Sequence, residues 1–420
     1  MNSDFMIMMP FVLMLLSVAF MPFVNGPWWS LHFKKVSLFL AGIIIFYYLF
    51  VRHDAPRLGL LLSEYLSFII LIGSLFVVTG GIYLRVRGEA TPLRNTIFLV
   101  VGSIISIFIG TTGASMLLIR PWIQSNRYRV TAFHIIFFIF MISNIGGCLS
   151  PIGDPPLFLG YLRGVPFFWL FQNLWSAWLL AIGLLAAIFY FLDRRNFLQA
   201  PSSIRDLETT QEVWTFQGLF NLSFLVVIIG AVFLPTPWRE MVMVGAALGS
   251  YFSTSKNIFE ANKFTFHPIE EVAWLFFGIF ATMVPVLDYL EEKTSLISSF
   301  PPLKPLHFYY LTGFLSTCLD NAPTYLASLQ LHLGMHGMNI ESVSDVTYAA
   351  INTPKPITAI ALGAVFFGAT TYIGNGPNFM VKSIAEDVEI RMPNFVHYIV
   401  YYSLPILAPI LVLIGWLFCR

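Results

Sequence analysis

Residues 143–160 read SNIGGCLSPIGDPPLFLG and lie between apolar runs long enough to span a membrane. Four glycines, three prolines and Asp154 interrupt what the flanks would otherwise make a plain helix. Glycine and proline take backbone groups out of helical bonding, and a bilayer offers no water to satisfy them. Non-helical backbone at that depth is tolerated only where it is buried in protein or lines a cavity. An ordinary loop between two helices is the competing reading, and a second copy of the pattern weakens it. Residues 373–380, IGNGPNFM, match 152–159, IGDPPLFL, at isoleucine, glycine, the second proline and phenylalanine, with Asn375 opposite Asp154.

Each copy follows a small polar cluster in an apolar surround, GTTGAS at 110–115 and LDNAPT at 319–324. Upstream of each lies an apolar span ending in small residues, at 75–81 and 275–281. The order span, hairpin with a polar tip, broken helix therefore occurs twice. Candidate spans are 5–24, 36–51, 58–84, 131–161, 165–192, 214–234, 237–252, 269–290, 348–385 and 394–419, with re-entrant hairpins at 96–119 and 306–333. The fold class read from this is an all-α polytopic membrane protein with inverted repeats, about ten full crossings and two hairpins. Its units are scaffold helices at 1–57, repeat 1 at 58–192, a solvated cytoplasmic linker at 193–213 and repeat 2 at 214–420.

The rest of the composition agrees. Of the 420 residues 57% are hydrophobic and 11% charged, against the quarter or so that is charged in soluble domains. The first apolar run lacks a basic leader and a small-residue cleavage site, so a retained helix is expected. With both termini outside, Lys34, Lys35, Arg94, Arg127, Arg194 and others, about fifteen of the 23 basic residues, collect on the cytoplasmic side, as the positive-inside rule requires. A net charge of +1 and the lack of a basic stripe argue against nucleic-acid binding. No nucleotide-binding glycine loop, nucleophile elbow or zinc-helix motif occurs, so neither an enzyme nor a nucleotide-driven pump is expected. The three cysteines have no metal spacing.

Inverted repeats with discontinuous helices mark secondary transporters, whose site lies at the midplane where the halves meet. Candidate oxygen ligands for a small cation are Thr111, Thr112, Ser115, Ser143, Asn144 and Ser150 in one half. Asn321, Thr324, Thr370, Thr371, Asn375 and Asn378 are their counterparts in the other. Taken singly, such groups more often bond neighbouring helices; clustering beside breaks in both halves points to an ion. Intramembrane aspartates usually mark ion or proton pathways. Asp320 ranks first and Asp154 second for coupling, since a carboxylate that takes either a proton or Na+ makes the two compete. For Asp154, capping the helix that resumes at Pro155 is an equal alternative. His134 is a possible proton relay, with simple pairing at the interface the blander reading. No cofactor is expected beyond Na+ and H+ as transported ions.

The motifs at 110–122, 143–169, 311–327 and 371–386 together resemble the NhaD-type sodium/proton antiporters and their bacterial relatives in the ion transporter superfamily. The resemblance implies a homodimer in the bacterial cytoplasmic membrane, moving by an elevator mechanism, with hairpin tips and broken-helix loops forming two sodium clamshells. Carboxylate carriers of that superfamily bear Ser-Asn-Thr at both tips, whereas this chain has Thr111-Thr112-Gly113 and Asp320-Asn321-Ala322. The expectation is therefore Na+/H+ exchange. The alternatives are a sodium-coupled carboxylate or arsenite carrier and, from another class, a channel or a non-transporting scaffold.

Overall fold

The structure, a computed structural model, describes residues 3–87, 90–202, 213–293 and 303–420. Among the described residues the regular structure is helical apart from one antiparallel ribbon, β1 (Tyr83–Arg87) against β2 (Val213–Gln217). Among the described residues, eight helices are long and apolar enough to cross a membrane. The first, α1 (Ser3–Phe46), breaks its helical geometry at Asn25 and supplies two of these spans, the second running on through a π-helical turn at Tyr47–Val51. It is followed by α2 (Ala55–Gly80).

Next comes α3 (Pro92–Ser125), which folds back on itself. Its turn is Gly110, at φ 78° and ψ 154°, a conformation that an L side chain rarely adopts. A Cβ there would also lie 3.1 Å from the Ile152 carbonyl oxygen. The reversal is visible at the other end, where Asn95 and Asn126 exchange side-chain amide bonds of 2.7 and 3.2 Å. In an unbroken helix these residues would be about 46 Å apart. A second hairpin is built from α11 (Pro305–Cys318) and α12 (Asn321–Met335), with Thr312 donating across it to Ser328 at 2.9 Å.

Two helices stop in the interior. The first is α4 (Ala132–Met141), followed by a 3-10 turn at Ile145–Leu149 and by α5 (Pro155–Arg163). The second is α14 (Pro354–Gly368), followed by an irregular stretch and α15 (Gly376–Glu386). Proline in the first turn restarts α5 and α15, where its missing N–H costs nothing. The carbonyls freed at each stop are satisfied by side chains. Ser103 and Ser106 donate to the oxygens of Met141 and Ile142 at 3.1 and 2.9 Å. Asn378 donates to those of Gly368 and Thr371, both at 2.9 Å.

The other α-helices among the described residues are α6 (Trp169–Gln199), α7 (Asn221–Ala231), α8 (Trp238–Ser253), α9 (Lys256–Ala261), α10 (His267–Glu292), α13 (Val343–Asn352), α16 (Phe395–Tyr398) and α17 (Ala408–Phe418), the last two joined through π-helical Ile399–Leu407. Packing is exchanged between the halves. The N-terminal pair in α1 lies along α10 of the second half, and α7 and α8 lie along α2 of the first. These five form a frame. The hairpins, broken helices, α6 and α17 form a core, where Ile135 to Ile142 is fully buried.

Three expectations change. The broken helix expected at 348–385 has a further bend ahead of its break, where α13 meets α14 at 99°. The span at 214–234 begins as a strand, with only Asn221–Ala231 helical. The linker is not solvated at its start. Asp193 is fully buried, paired with Arg129, bonded by His134 at 3.0 Å and by Asn95 at 2.8 Å. An unpaired carboxylate could not sit there without a large desolvation cost. Residues 203–212 of that linker lie outside the described residues.

Candidate functional site

Both hairpin tips and both helix breaks converge on one carboxylate. Asp154 stands at the start of α5, yet its side chain makes no cap bond to that helix. It is 1% exposed and points instead at the other three elements. Its Oδ1 accepts from Thr111 at the first tip (2.9 Å) and from Asn375 in the second break (3.0 Å). Its Oδ2 accepts from Asn321 at the second tip, at 2.7 Å. All three donors are neutral. The carboxylate is therefore held without a cationic partner, in a setting where an isolated charge is expensive.

Asp320, ranked first from sequence, has the role first considered for Asp154. It is the N-cap of α12 and accepts from the Ala322 N–H at 3.0 Å. Thr324 donates to the Asp320 carbonyl at 2.9 Å, an ordinary bond within the helix.

The other ligand candidates form a shell around this centre. Asn375 also donates to the Ser143 carbonyl at 3.1 Å, and the Ser143 hydroxyl meets that of Ser115 at 2.7 Å. Asn144 donates to Asn378 at 2.7 Å, a further direct link between halves. Thr371 donates to the Thr317 carbonyl and Thr370 to the Thr317 hydroxyl, both at 2.9 Å. Ser150 bonds the Ile107 carbonyl at 2.5 Å and caps the Gly153 N–H at 3.0 Å. These contacts stitch tips to breaks. Thr112 lines the cleft described below. His134 is not brought in. It lies at the far end of α4, closes a capping box with Thr131 and bonds Asp193.

Two oxygens inside the shell lack a partner, Asn144 Oδ1 and Asn321 Oδ1, both on fully buried residues. Buried acceptors of this kind are costly unless something fills them, and amide oxygens suit hard cations. The residues that sequence missed are Ser103, Ser106, Thr317 and Tyr325, whose buried hydroxyl is also unpartnered. Small hydroxyls at 103 and 106, one turn apart on a hairpin arm, were the available signal for two of them.

A cleft runs from Asp154 between the first tip, the first break and α2, walled by Phe68, Leu71, Leu75 and Phe76. Its lining includes Asp154 and no lysine or arginine. It follows the half of α2 toward Gly80. Substituting Thr111 by valine removes one of the three donors to Asp154 while keeping the volume. A rate of transport about tenfold lower is expected, read as initial uptake per reconstituted protein.

Residues 2–419 match the CitMHS_2 family model, described as "Putative citrate transport". The chain is also similar to the "46 kDa membrane protein" of Mycobacterium leprae (strain TN), at 23% identity over 321 residues, 73% of this chain and 72% of that protein.

Proposed function

Because this chain belongs to the CitMHS_2 family of membrane transporters, we propose that it is a secondary active carrier of a small carboxylate of the citrate class, coupled to a cation. This replaces Na+/H+ exchange as the main reading. The observation that carries the mechanism is the meeting of four broken elements on Asp154. A carboxylate substrate entering a site that already holds Asp154 and Asp320, with no basic residue in the cleft lining, must come with compensating positive charge. Na+ and H+ are the candidates from sequence. The free amide oxygens of Asn144 and Asn321 supply ligands for the ion, and Asp154 supplies the charge that holds it. Coupling follows from mutual dependence, since repulsion opposes the anion until the cation is present and the cation's ligands are completed by the anion.

Alternating access is supported by the division of core from frame. The tips and breaks belong to one packed unit, and α1, α2, α7, α8 and α10 form the surface it can slide against.

Uptake of labelled citrate into proteoliposomes tests the reading, with Na+ and pH gradients imposed in turn. Accumulation above equilibrium is expected only under an inward cation gradient. A second reading, Na+/H+ exchange, is favoured by one observation, the titratable Asp320 at the second tip. It would take over if citrate and succinate were not accumulated while added Na+ alone moved protons.

A further inference from the structure

At the opposite end of α2 from the cleft, the core and frame are joined by charge. Arg163, the last residue of α5, donates to Glu64 of α2 at 2.8 Å. Arg57, in the first turn of α2, pairs with Glu341 in the segment after the second hairpin, and Arg163 stands 3.8 Å from the same carboxylate. Asn339, in that segment, donates to Glu291 of α10 at 2.7 Å. Behind these contacts the frame anchors its own arginine. Asp288 accepts from Arg57 at 2.6 and 3.0 Å and also holds Arg52 at 3.3 Å.

The arginines are largely withdrawn from water, with 8% of the Arg163 side chain and 11% of that of Arg57 exposed. Glu64 and Glu291 are the frame side of this contact between separate units.

We infer that the Arg163–Glu64 and Arg57–Glu341 pairs are a latch that holds the core against the frame, and that it must open when the site turns to face the other side of the membrane. The argument is positional. The cleft to Asp154 follows the half of α2 ending at Gly80, and the latch closes the half beginning at Ala55. Arg163 is attached to Asp154 through the nine residues of α5, so displacement of the site carries Arg163 with it. Both pairs span units that move relative to one another, and their free energy is therefore present in one state and absent in the other. Only such differential contacts shift a two-state equilibrium. The inference rests on the alternating-access part of the proposed function and does not depend on which substrate is carried.

The test uses the full chain in proteoliposomes, with Leu61→Cys as reporter in a Cys318→Ser background. Leu61 lines the small cavity beneath the latch, and Cys148 and Cys419 are buried. Labelling by a membrane-impermeant maleimide reports how often that cavity opens. Glu64→Gln and Glu341→Gln are each expected to raise the labelling rate roughly three- to tenfold, and exchanging charges in Arg163→Glu with Glu64→Arg is expected to bring it back toward the parent. Unchanged labelling in both neutral variants would overturn the latch; if Glu64→Gln does not fold, Glu341→Gln decides alone. Citrate uptake with unchanged labelling would sink the latch and leave the substrate reading. Faster labelling without uptake would do the reverse.

Discussion

Replacing Asp154 by asparagine is expected to lower carboxylate uptake by a factor of about 100 or more, because an intramembrane charge at the coupling centre is lost, while the protein still folds. Folding survives because the hydrogen bonds can be rearranged. The new amide oxygen keeps the two donors now on Oδ1, Thr111 and Asn375. Its nitrogen would face the Asn321 amide nitrogen, and that clash is relieved when Asn321 turns its own amide. Asn321 Oδ1 has no partner to lose by turning. The contacts on residue 154 are then all made between neutral groups, and the cation has no charge to bind. Alanine would be a poorer test, since three buried donors left unmade cost about 1–3 kcal/mol each and folding and transport would fail together.

Asp320→Asn gives the contrast. Asparagine caps a helix as well as aspartate does, so the bond to the Ala322 N–H can be kept and a loss of less than about tenfold is expected if capping is its main role. Initial rates of labelled citrate uptake per reconstituted protein read both variants. Asp154→Asn carrying citrate at the parental rate would remove Asp154 from the mechanism. Asp320→Asn failing as badly would favour the exchange reading.

The breaks could be read from the chain because glycine, proline and aspartate in an apolar run have few other reasons to be there. The order of the two aspartates could not. Both precede a helix, and which one caps it depends on where the side chain turns, which neighbours 167 and 221 residues away decide. Asp193 looked solvated because Arg194, Arg195 and Arg205 follow it in sequence; its partners Arg129, His134 and Asn95 lie on elements that only the fold brings near. The bend at Thr353 was legible but passed over, since Asn352, Pro354, Lys355 and Pro356 interrupt the apolar run there and Pro354 marks a helix start. The strand at Val213–Gln217 was absorbed into the span that follows because Trp214 and Phe216 lead straight into that apolar run. The latch stayed invisible for the same reason as Asp193, since Arg163, Glu64 and Glu341 are far apart in the chain.

Gly153→Ala is expected to destabilise the protein by about 3 kcal/mol or more, at the upper end for overpacking. The chain crosses itself at the first break, where a Cβ on Gly153 would fall inside the Gly147 carbonyl and one on Gly147 inside that of Gly153. In both cases the obstacle is backbone, which cannot rotate away as a side chain can. Both strands are also pinned, since Thr111 N–H donates to the Gly153 oxygen at 2.8 Å and the Gly153 N–H to Ser150 at 3.0 Å. Relief by backbone movement would pull the first tip off Asp154. The second break repeats the device, with a Cβ on Gly374 meeting the oxygens of Gly368 and Ser316 at 2.6 and 2.7 Å. Gly183, in the middle of α6, is the control. Nothing lies within 4 Å of a Cβ there, and Gly183→Ala should be neutral or stabilising by up to about 1 kcal/mol through helix propensity. Thermal unfolding in detergent, followed by the fluorescence of the ten tryptophans, compares the three proteins. If Gly153→Ala melted with the parent, the crossing would be loose enough to shift, and a rigid cradle for Asp154 could not be what positions it.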